Sequence, residues 1–336
     1  MLTPSVEALI QHLADGKFHS GKKLADTLQT SRTTVWKSVQ SLQALGLEIQ
    51  AVKGRGYRLT HPWERLNAEQ ITASIQVPEA CPPPVVEVHD CLNSTNAHLL
   101  RTASLRPAAS ICLAEMQTAG RGRLGRNWVS PFGANIYLSL LWRFRRGESL
   151  GGLSLAVGVE TVRVLRTLGL ADLRLKWPND ILWQERKLGG ILIEAITESQ
   201  GQCVVVVGLG LNLRLPPGAA DAIDQPWVDI RTILGGGSSR SDLAVPSRNR
   251  MAGDLSSRLL ALLNAYGSEG LTPWLEDWRR WNCVLGRRVT VDEIGQRYEA
   301  TAVNVTEEGS LVLRRDDGRR RLLAAGDVRL RVRHDA

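Results

Sequence analysis

The first sixty residues change from a helical to a strand-like hydrophobic spacing, and this change limits the possible folds more than any other feature. Apolar residues recur at helical spacing in residues 6–13, and two further helices are predicted to follow the capping residues Ser20 and Ser31. Residues 47–59 then alternate around a glycine-containing turn at residues 53–56, which predicts a hairpin. Three helices and a hairpin predict a winged helix-turn-helix domain.

Basic residues are concentrated in this N-terminal region. Residues 1–60 contain eight Lys and Arg against four Asp and Glu, within a chain whose formal net charge is +8. Cations on a helix and on a narrow hairpin suit the grooves and phosphates of DNA. The predicted DNA-contacting residues on the third helix and the hairpin are Arg32, Thr33, Thr34, Trp36, Lys37, Lys53 and Arg55. A winged helix used for protein contact, with a solvated basic face, is the alternative.

Prolines and changes of spacing divide the rest of the chain. Prolines at 62, 78 and 82–84 interrupt any continuing helix or strand. Residues 214–250 have little regular spacing, and we expect mobile loops there. The predicted fold class is α+β and multidomain. Its parts are a winged helix-turn-helix in 1–62, a connecting segment with a short helix in 63–84, a mixed α/β domain in 85–283 and a small β-barrel in 284–336.

Composition excludes several other classes of protein. No stretch approaches about 18 apolar residues, and the N-terminus lacks the apolar core of a signal peptide, so we expect a soluble cytoplasmic protein with no membrane partner. The five cysteines are widely spread and never form a C-x-x-C pair. A disulfide framework or a zinc ribbon is therefore not expected.

A glycine loop in the central domain carries three arginines. Residues 120–125 match G-x-G-x-x-G, but Pro131 soon blocks the helix that a dinucleotide-binding turn must open. The loop therefore does not predict a nicotinamide or flavin site. Arg121, Arg123 and Arg126 can instead orient phosphate or carboxylate oxygens, because guanidinium groups match both geometries. A merely flexible basic loop is the alternative.

Three further segments combine turns with chemically active side chains. They are K-W-P-N-D at 176–180, K-L-G-G-I at 187–191 and G-L-G-L-N at 208–212. The glycines of the last segment suggest close backbone approach to a ligand. Each segment alone is compatible with ordinary turn chemistry, but three such segments on one alternating core favour a ligand site.

Taken together, these segments resemble a known enzyme family. The blocks 93–96, 117 with 120–128, 176–180, 187–194 and 208–212 occur in the order seen in biotin protein ligases. With its N-terminal winged helix, the whole chain resembles the bifunctional biotin operon repressors and biotin–[acetyl-CoA-carboxylase] ligases. The resemblance implies a class II synthetase-like central domain and an SH3-like C-terminal barrel. It also implies biotin and ATP as substrates with Mg²⁺, and a carrier lysine as the final acceptor.

The resemblance assigns roles to residues of the biotin side of the site. Hydrogen bonds to biotin are implied for Ser94, Thr95, Asn96 and Gln117. The loop expected to close over biotin and the phosphates carries Arg121, Gly122 and Arg123, with Lys187 near the carboxyl or phosphoryl oxygens. Alternatively, Ser94 and Asn96 act only as helix caps.

Further roles are implied on the nucleotide side. Asn179 and Asn212 are candidates for nucleotide contacts, and Trp227 for a loop that orders over the adenylate. Asp180 is a candidate for aligning Mg²⁺ or the incoming lysine, and it joins Arg121, Arg123 and Lys187 as the predicted catalytic set. Alternatively, Asn179 and Asp180 form only a turn, and Trp128 and Trp177 belong to the core.

The resemblance also implies regulation. Biotinyl-5′-AMP would serve as intermediate and co-repressor, so that two adenylate-bound subunits form a homodimer on operator DNA. The carrier domain of acetyl-CoA carboxylase is the implied protein partner. Two other functions remain open at this point: a ligand-sensing regulator without catalysis, and a lipoate ligase with a related core fold.

Overall fold

The computed structural model describes residues 3–79, 81–197, 202–235, 246–293, 296–325 and 328–332. Its N-terminal region contains three helices and one hairpin. These elements are α1 (Pro4–Leu13), α2 (Gly21–Thr27), α3 (Arg32–Ala44), β1 (Ile49–Val52) and β2 (Gly56–Leu59). Ser20 and Ser31 cap α2 and α3 by accepting hydrogen bonds from backbone N–H groups, as predicted. His19 adds a short bridge to Tyr57, which extends the hairpin.

A seven-stranded sheet forms the central domain. Its strands are β3 (Val85–Leu92), β4 (Ser110–Gln117), β5 (Ile136–Phe144), β6 (Leu173–Lys176), β7 (Asp180–Trp183), β8 (Arg186–Thr197) and β9 (Cys203–Leu211). The spatial order is β3-β4-β5-β9-β8-β7-β6. Strands β3 and β4 are parallel and the other neighbours are antiparallel. The mixed α/β character predicted for this region is confirmed.

Helices cover the sheet. They are α4 (Ala68–Ser74), α5 (Thr95–Arg101), α6 (Leu153–Thr167), α7 (Pro217–Ala220), α8 (Ile230–Ile233), α9 (Arg248–Glu269) and α10 (Thr272–Trp281). The main core packs the apolar sides of α6, α9 and α10 against the sheet. Helix α6 buries leucines and valines, α9 buries mainly leucines, and α10 buries Trp274, Leu275 and Trp278. Helix α5 covers part of the other face through a smaller cluster around Leu99 and Cys112.

Residues 214–250 are more regular than their sequence predicts. Helix α8 is capped by Asp229, and residue 227 pairs with residue 187 beside β8. Helix α9 already begins at Arg248, because Ser247 caps it, so the expectation of irregular structure up to 250 was wrong there. The predicted mobile glycine and serine stretch falls largely on residues 236–245, which lie outside the described residues.

The C-terminal region is a five-stranded antiparallel sheet. Its strands are β10 (Arg288–Glu293), β11 (Gln296–Val305), β12 (Leu311–Arg314), β13 (Arg320–Leu323) and β14 (Val328–Val332), in the order β13-β12-β11-β10-β14. The all-β C-terminal domain that the sequence predicts is thus confirmed. This sheet shares the main core with the central domain through residues such as Val289 and Leu311. None of the described helices combines the length and apolar character needed to cross a bilayer.

The segment between the first two domains packs into both of them. Trp63 stacks on Phe132 with ring centroids 5.9 Å apart, and Phe132 belongs to the core of the winged helix although it follows β4. Arg65 forms ion pairs with Glu7 of α1 and Asp90 of β3. Residues 63–84 therefore hold the winged helix against the central sheet, and do not act as a free tether.

His61 lies in a second contact between these domains. Its ring interacts electrostatically with Arg214, which precedes α8, and with Arg231 of α8. Burial and then these two cations lower the pKa of His61 from 6.5 to about 4. Burial, with Arg231 next, also lowers the pKa of Arg214 to about 10. A neutral His61 is thus part of the folded state.

Acidification should weaken the fold through His61. The unfolded chain takes up a proton near pH 6.5, whereas the folded chain does so only near pH 4, so stability falls between these values and not above them. His61→Gln should remove this component. Thermal unfolding midpoints at about pH 7.5 and about pH 5 should therefore drop less in the variant than in the parent. Equal drops in both proteins would contradict the assignment.

Candidate functional site

A cavity of about 720 Å³ opens on the sheet where β8 and β9 meet the N-terminus of α5. The arginine loop after β4 and the C-terminal sheet complete its walls. Ten of the residues predicted for the site line it: Ser94, Thr95, Asn96, Gln117, Arg121, Gly122, Arg123, Asn179, Asp180 and Lys187. Segments that are far apart in sequence therefore converge on one space large enough for a small organic ligand.

One end of the cavity is built from a hydrogen-bonded polar network. Thr95 donates from both its backbone N–H and its hydroxyl to Gln117 Oε1, at 2.9 and 3.2 Å. Ser139 Oγ donates to Asn96 Oδ1 at 2.6 Å, and Asn96 Nδ2 donates to Glu194 Oε2 at 2.9 Å. Because these buried and half-buried groups already hold one another, their orientations are fixed before any ligand binds.

The alternative that Ser94 and Asn96 act as helix caps holds for Ser94 but not for Asn96. Ser94 is the cap of α5, since its hydroxyl accepts a hydrogen bond from Ala97 N. Asn96 lies inside the helix and bonds across to β5 and β8, so its amide is not a cap. Both side chains are nonetheless buried at the cavity wall.

The arginine loop folds back on itself and opens no α-helix. Trp128 N donates to Gly120 O at 2.9 Å, and Gly122 N donates to Arg126 O at 2.7 Å. Residues 123–125 form a single 3₁₀ turn in which Leu124 has φ of 57°. The glycine pattern is thus not the start of a dinucleotide-binding helix, which agrees with the sequence interpretation.

Three of the cations that line the cavity are the predicted catalytic ones, and each contacts an oxygen atom of the protein. Arg121 Nη2 lies 3.6 Å from Glu194 Oε1, and Lys187 Nζ lies 2.7 Å from Asp180 Oδ1. Arg123 donates to Asn179 Oδ1 at 3.4 Å and to Ala325 O of the C-terminal region at 3.0 Å. The Lys187 ammonium also lies 5.5 Å from the centroid of the Trp128 ring. Such a cluster favours an anionic ligand.

Comparison with known proteins identifies the family. A model of the biotin/lipoate A/B protein ligase family matches residues 88–212, an HTH domain model matches 6–58, and a biotin protein ligase C-terminal domain model matches 284–331. The bifunctional ligase/repressor BirA of Escherichia coli is 36% identical over 309 residues, which cover 92% of each chain. The chain belongs to the bifunctional biotin protein ligase and repressor family. The predicted fold class and resemblance are thereby confirmed.

Other relatives agree with this membership of the biotin protein ligase family. The bifunctional ligase/repressor BirA of Bacillus subtilis is 30% identical and covers 94% of this chain and 95% of its own. The biotin–[acetyl-CoA-carboxylase] ligase of Mycobacterium tuberculosis is 37% identical over 70% of this chain and 85% of its own. A biotin protein ligase structure from Aquifex aeolicus in complex with biotin and ATP has a TM-score of 0.61 at 23% identity. It covers 74% of this chain and 99% of that one, which shows a shared fold.

Two predicted site residues of this ligase do not line the cavity. Asn212 is buried, and its amide donates to Val228 O at 3.2 Å and to Lys187 O at 3.4 Å. Trp227 is half-buried beside Lys187, whose backbone bonds to Pro226 and Val228 on either side of it. Asn212 therefore fixes the backbone of β8 and of the segment before α8, and Trp227 lies next to the wall.

The glycines of β9 make room for the ligase's own side chains. An added Cβ at Gly208 would lie 2.3 Å from Asn96 Oδ1, and one at Gly210 would lie 2.5 Å from the Trp128 ring. Gly208 and Gly210 also line the cavity, so the close approach of their backbone to a ligand stays a prediction. The wall also includes Lys176, from the predicted segment 176–180, and Arg331, which had not been predicted. Trp177 is core, as its alternative reading held.

Substitution of Gly210 should displace Trp128 and so disturb the cavity wall. We expect Gly210→Ala to weaken biotin binding by about ten-fold, since overpacking costs roughly 1–3 kcal/mol. Isothermal titration calorimetry measures the change. Gly218→Ala is the matched control, because an added Cβ there meets nothing within 4 Å. Equal affinities in the two variants would show that Trp128 adapts freely.

The predicted DNA face is largely exposed. Arg32, Thr33, Trp36, Lys37, Lys53 and Arg55 are all solvent-exposed, and Trp36 is 52% exposed. Thr34 is half-buried, with its hydroxyl 2.9 Å from Ser31 Oγ, so it belongs to the helix cap. The guanidinium groups of Arg55 and Arg58 lie over the Phe18 ring, at 4.1 and 4.7 Å from its centroid. Phe18, which had not been singled out, therefore positions the basic hairpin.

Proposed function

We propose that this chain catalyses ATP-dependent biotinylation of a lysine on a carboxylase carrier domain. The first step forms biotinyl-5′-AMP and pyrophosphate, and the second transfers the biotinyl group to the lysine. The chain also represses transcription of biotin synthesis genes, with biotinyl-5′-AMP as co-repressor. The observation that carries the proposal is the convergence of three cations and a fixed polar network on one cavity of a biotin protein ligase fold.

The polar network provides a place for the uncharged ring of biotin. A ureido group presents one carbonyl and two N–H groups, so it needs donors and acceptors held side by side. Thr95, Asn96, Gln117 and the capping Ser94 supply hydroxyl and amide groups at the wall. Because they are fixed beforehand, ordering them costs little on binding.

Adenylation brings two anions together. An oxygen of the biotin carboxylate attacks the α-phosphorus of ATP, the bond to the β-phosphate oxygen breaks, and pyrophosphate leaves with the electron pair. Arg121, Arg123 and Lys187 offset the repulsion between the groups and the charge of the transition state. In the structure each of these cations contacts an oxygen atom of the protein, so substrate oxygens would replace those partners.

Transfer requires an amine beside the new anhydride. The carrier lysine attacks the biotinyl carbonyl, AMP leaves, and the amine loses a proton. Asp180 is placed to align that amine once Lys187 turns to the substrate. Mg²⁺ would neutralise triphosphate charge, and the carboxylate oxygens of Asp180 and Asp224 at the wall are the donors it prefers. Asn179 would contact the nucleotide. Asn212 and Trp227 would instead hold the backbone of the nucleotide side of the wall in place.

Repression would use the N-terminal region. We propose that the adenylate orders loops around the cavity, that two subunits then form a homodimer, and that their winged helices reach a two-fold operator. The proposed domain limits are residues 1–62, the connecting segment 63–84, the catalytic part 85–283 and the C-terminal part 284–336. Arg32, Thr33, Trp36, Lys37, Lys53 and Arg55 are the proposed DNA contacts, supported by their exposure.

A carrier assay tests the enzymatic part. Incubation with ATP, Mg²⁺, biotin and a purified carrier domain should add one biotinyl mass to a single carrier lysine. Lipoate in place of biotin is the decisive second arm, because the matching family model covers lipoate ligases as well. No mass shift with biotin, while a known ligase modifies the same carrier, would refute the proposal. Pyrophosphate release without carrier modification would leave a sensor that forms adenylate only.

Removal of residues 1–62 tests whether DNA binding and biotinylation reside in separate domains. The truncated chain should lose operator binding in a mobility-shift assay and keep much of its biotinylation. Because Phe132 would lose its packing in the winged-helix core, the truncated chain should also unfold at a lower temperature. Loss of both activities in a truncated chain that remains folded would contradict the proposed independence.

A further inference from the structure

A second cluster of chemically active side chains lies outside the cavity, under α5. Glu87, His89, His98 and Cys112 each direct one ligand atom inward, and these four atoms lie within 4.8 Å of one another. The cluster is sheltered: Cys112 is fully buried and the His98 side chain is 12% exposed. Nothing in the proposed biotin chemistry uses these residues.

The fold brings the four residues together by simple geometry. Glu87 and Cys112 are direct partners in the parallel pairing of β3 with β4. His89 lies two residues beyond Glu87, so it shares the same face of the sheet. Helix α5 crosses that face and carries His98. The side chains therefore come from three elements whose backbones are fixed by the sheet and by the helix.

Two buried atoms of the cluster make no hydrogen bond of ordinary geometry. They are Glu87 Oε1 and His89 Nε2. His98 Nε2 lies 3.0 Å from that Oε1, and His89 Nε2 lies 3.4 Å from the other carboxylate oxygen. These close contacts without good hydrogen-bond geometry leave the buried donor atoms poorly satisfied, which a shared ligand would correct.

We propose that Glu87, His89, His98 and Cys112 bind one divalent transition-metal ion of the zinc class. The donor set of one thiolate, two imidazoles and one carboxylate is the kind that zinc takes. In a tetrahedral site with bonds of about 2.0–2.3 Å, ligand atoms are about 3.3–3.8 Å apart, so small side-chain movements close this cluster around an ion. One thiolate and one carboxylate also balance the two charges of the ion.

Arg106 would compete with a metal ion for the side chains of Glu87 and His98. Its Nη2 lies 2.9 Å from both Glu87 Oε2 and His98 Nε2. The bound ion takes His98 Nε2, and the guanidinium then keeps only the outer carboxylate oxygen. The nearby Arg101, 3.4 Å from His98 Nδ1, is exposed and free to move aside. Removal of the Arg106 charge should consequently tighten metal binding.

Metal binding would also affect the biotin pocket, because α5 contributes side chains to both sites. His98 is on α5, whose first turn carries Thr95 and Asn96. An ion that joins α5 to β3 and β4 restrains these two side chains relative to the sheet. This inference does not depend on the proposed catalysis, and its test needs no activity measurement.

Cobalt spectroscopy on the full chain, without an affinity tag and after metal removal by a chelator, tests the site directly. Co²⁺ should give a thiolate charge-transfer band that saturates at one ion per chain. Cys112→Ser should abolish this band, whereas Cys203→Ser, which changes another free cysteine, should retain it. Absence of the band in the parent, or its survival in Cys112→Ser, would overturn the proposal.

Zinc titration supplies the quantitative arm. His98→Gln should weaken Zn²⁺ binding by on the order of 100-fold or more, because loss of a ligand costs at least as much as loss of an outer-shell partner. His12→Gln is the histidine control. Arg106→Gln should bind Zn²⁺ more tightly than the parent, and this variant keeps all four ligands. Weaker or equal binding in Arg106→Gln would show that the cluster is a closed ion-pair group instead of a metal site.

Discussion

Lys187→Gln should lower the rate of adenylate formation by roughly 10²–10³-fold, as removal of a single preorganised donor to transition-state charge does in other enzymes. The reason is that the Lys187 ammonium is held at the cavity wall, 2.7 Å from Asp180 and over the Trp128 ring. There it can turn to the carboxylate and phosphate oxygens as their charges meet. Pyrophosphate release under single-turnover conditions measures this step without the carrier.

The neighbouring Arg186 provides the control for Lys187. Arg186 starts the same strand, but its guanidinium lies 4.8 Å from the centroid of Trp183 and it is not part of the cavity wall. Arg186→Gln should therefore adenylate biotin at nearly the parent rate. If both variants lost the same activity, damage to β8 would explain the result. If Lys187→Gln kept the parent rate, the ammonium would have no part in the chemistry.

The sequence could predict the elements with strong local signals. Ser20 and Ser31 cap helices because a serine before an apolar helical spacing can satisfy the free backbone N–H groups. Residues such as Arg121 and Lys187 could be placed at one site because each is a cation in a glycine-containing segment next to an apolar strand, and both line the cavity. Both are cations for which the sequence suggests no structural role, so their shared chemistry could be recognised before the fold was known.

Features that depend on distant contacts could not be predicted. Phe132 follows a central strand, yet it packs into the winged-helix core, which no local spacing records. Asn212 resembles a ligand contact in sequence but satisfies backbone carbonyls of two other segments. Arg331 reaches the cavity wall from the C-terminal sheet. The metal-type cluster was missed for the same reason, since its ligands at residues 87, 89, 98 and 112 have no recognisable spacing.

Arg123→Ala should let biotinyl-5′-AMP escape about 10-fold to 100-fold faster than it leaves the parent, because a hydrogen bond to a charged group contributes roughly 1.5–3 kcal/mol. Arg123 joins the arginine loop to Asn179 on one side and to Ala325 of the C-terminal region on the other. The same side chain can therefore hold the loop down and contact the adenylate. Release of radiolabelled adenylate into an excess of unlabelled adenylate measures the escape rate.

Two further variants separate the charge of Arg123 from the shape of its loop. Leu124→Ala changes the next residue of the same turn without altering charge, and it should release adenylate at nearly the parent rate. Arg123→Lys keeps one positive charge but loses the planar pair of donors, so its release rate should lie between those of the parent and Arg123→Ala. DNA binding of the ligand-free protein should be unchanged in all three variants, because the Arg123 guanidinium contacts Asn179 and Ala325, which lie outside the winged helix. Equal retention of adenylate in Arg123→Ala and the parent would mean that the loop closes without this guanidinium. The positive charge that stabilises the phosphate would then come from Arg121 and Lys187.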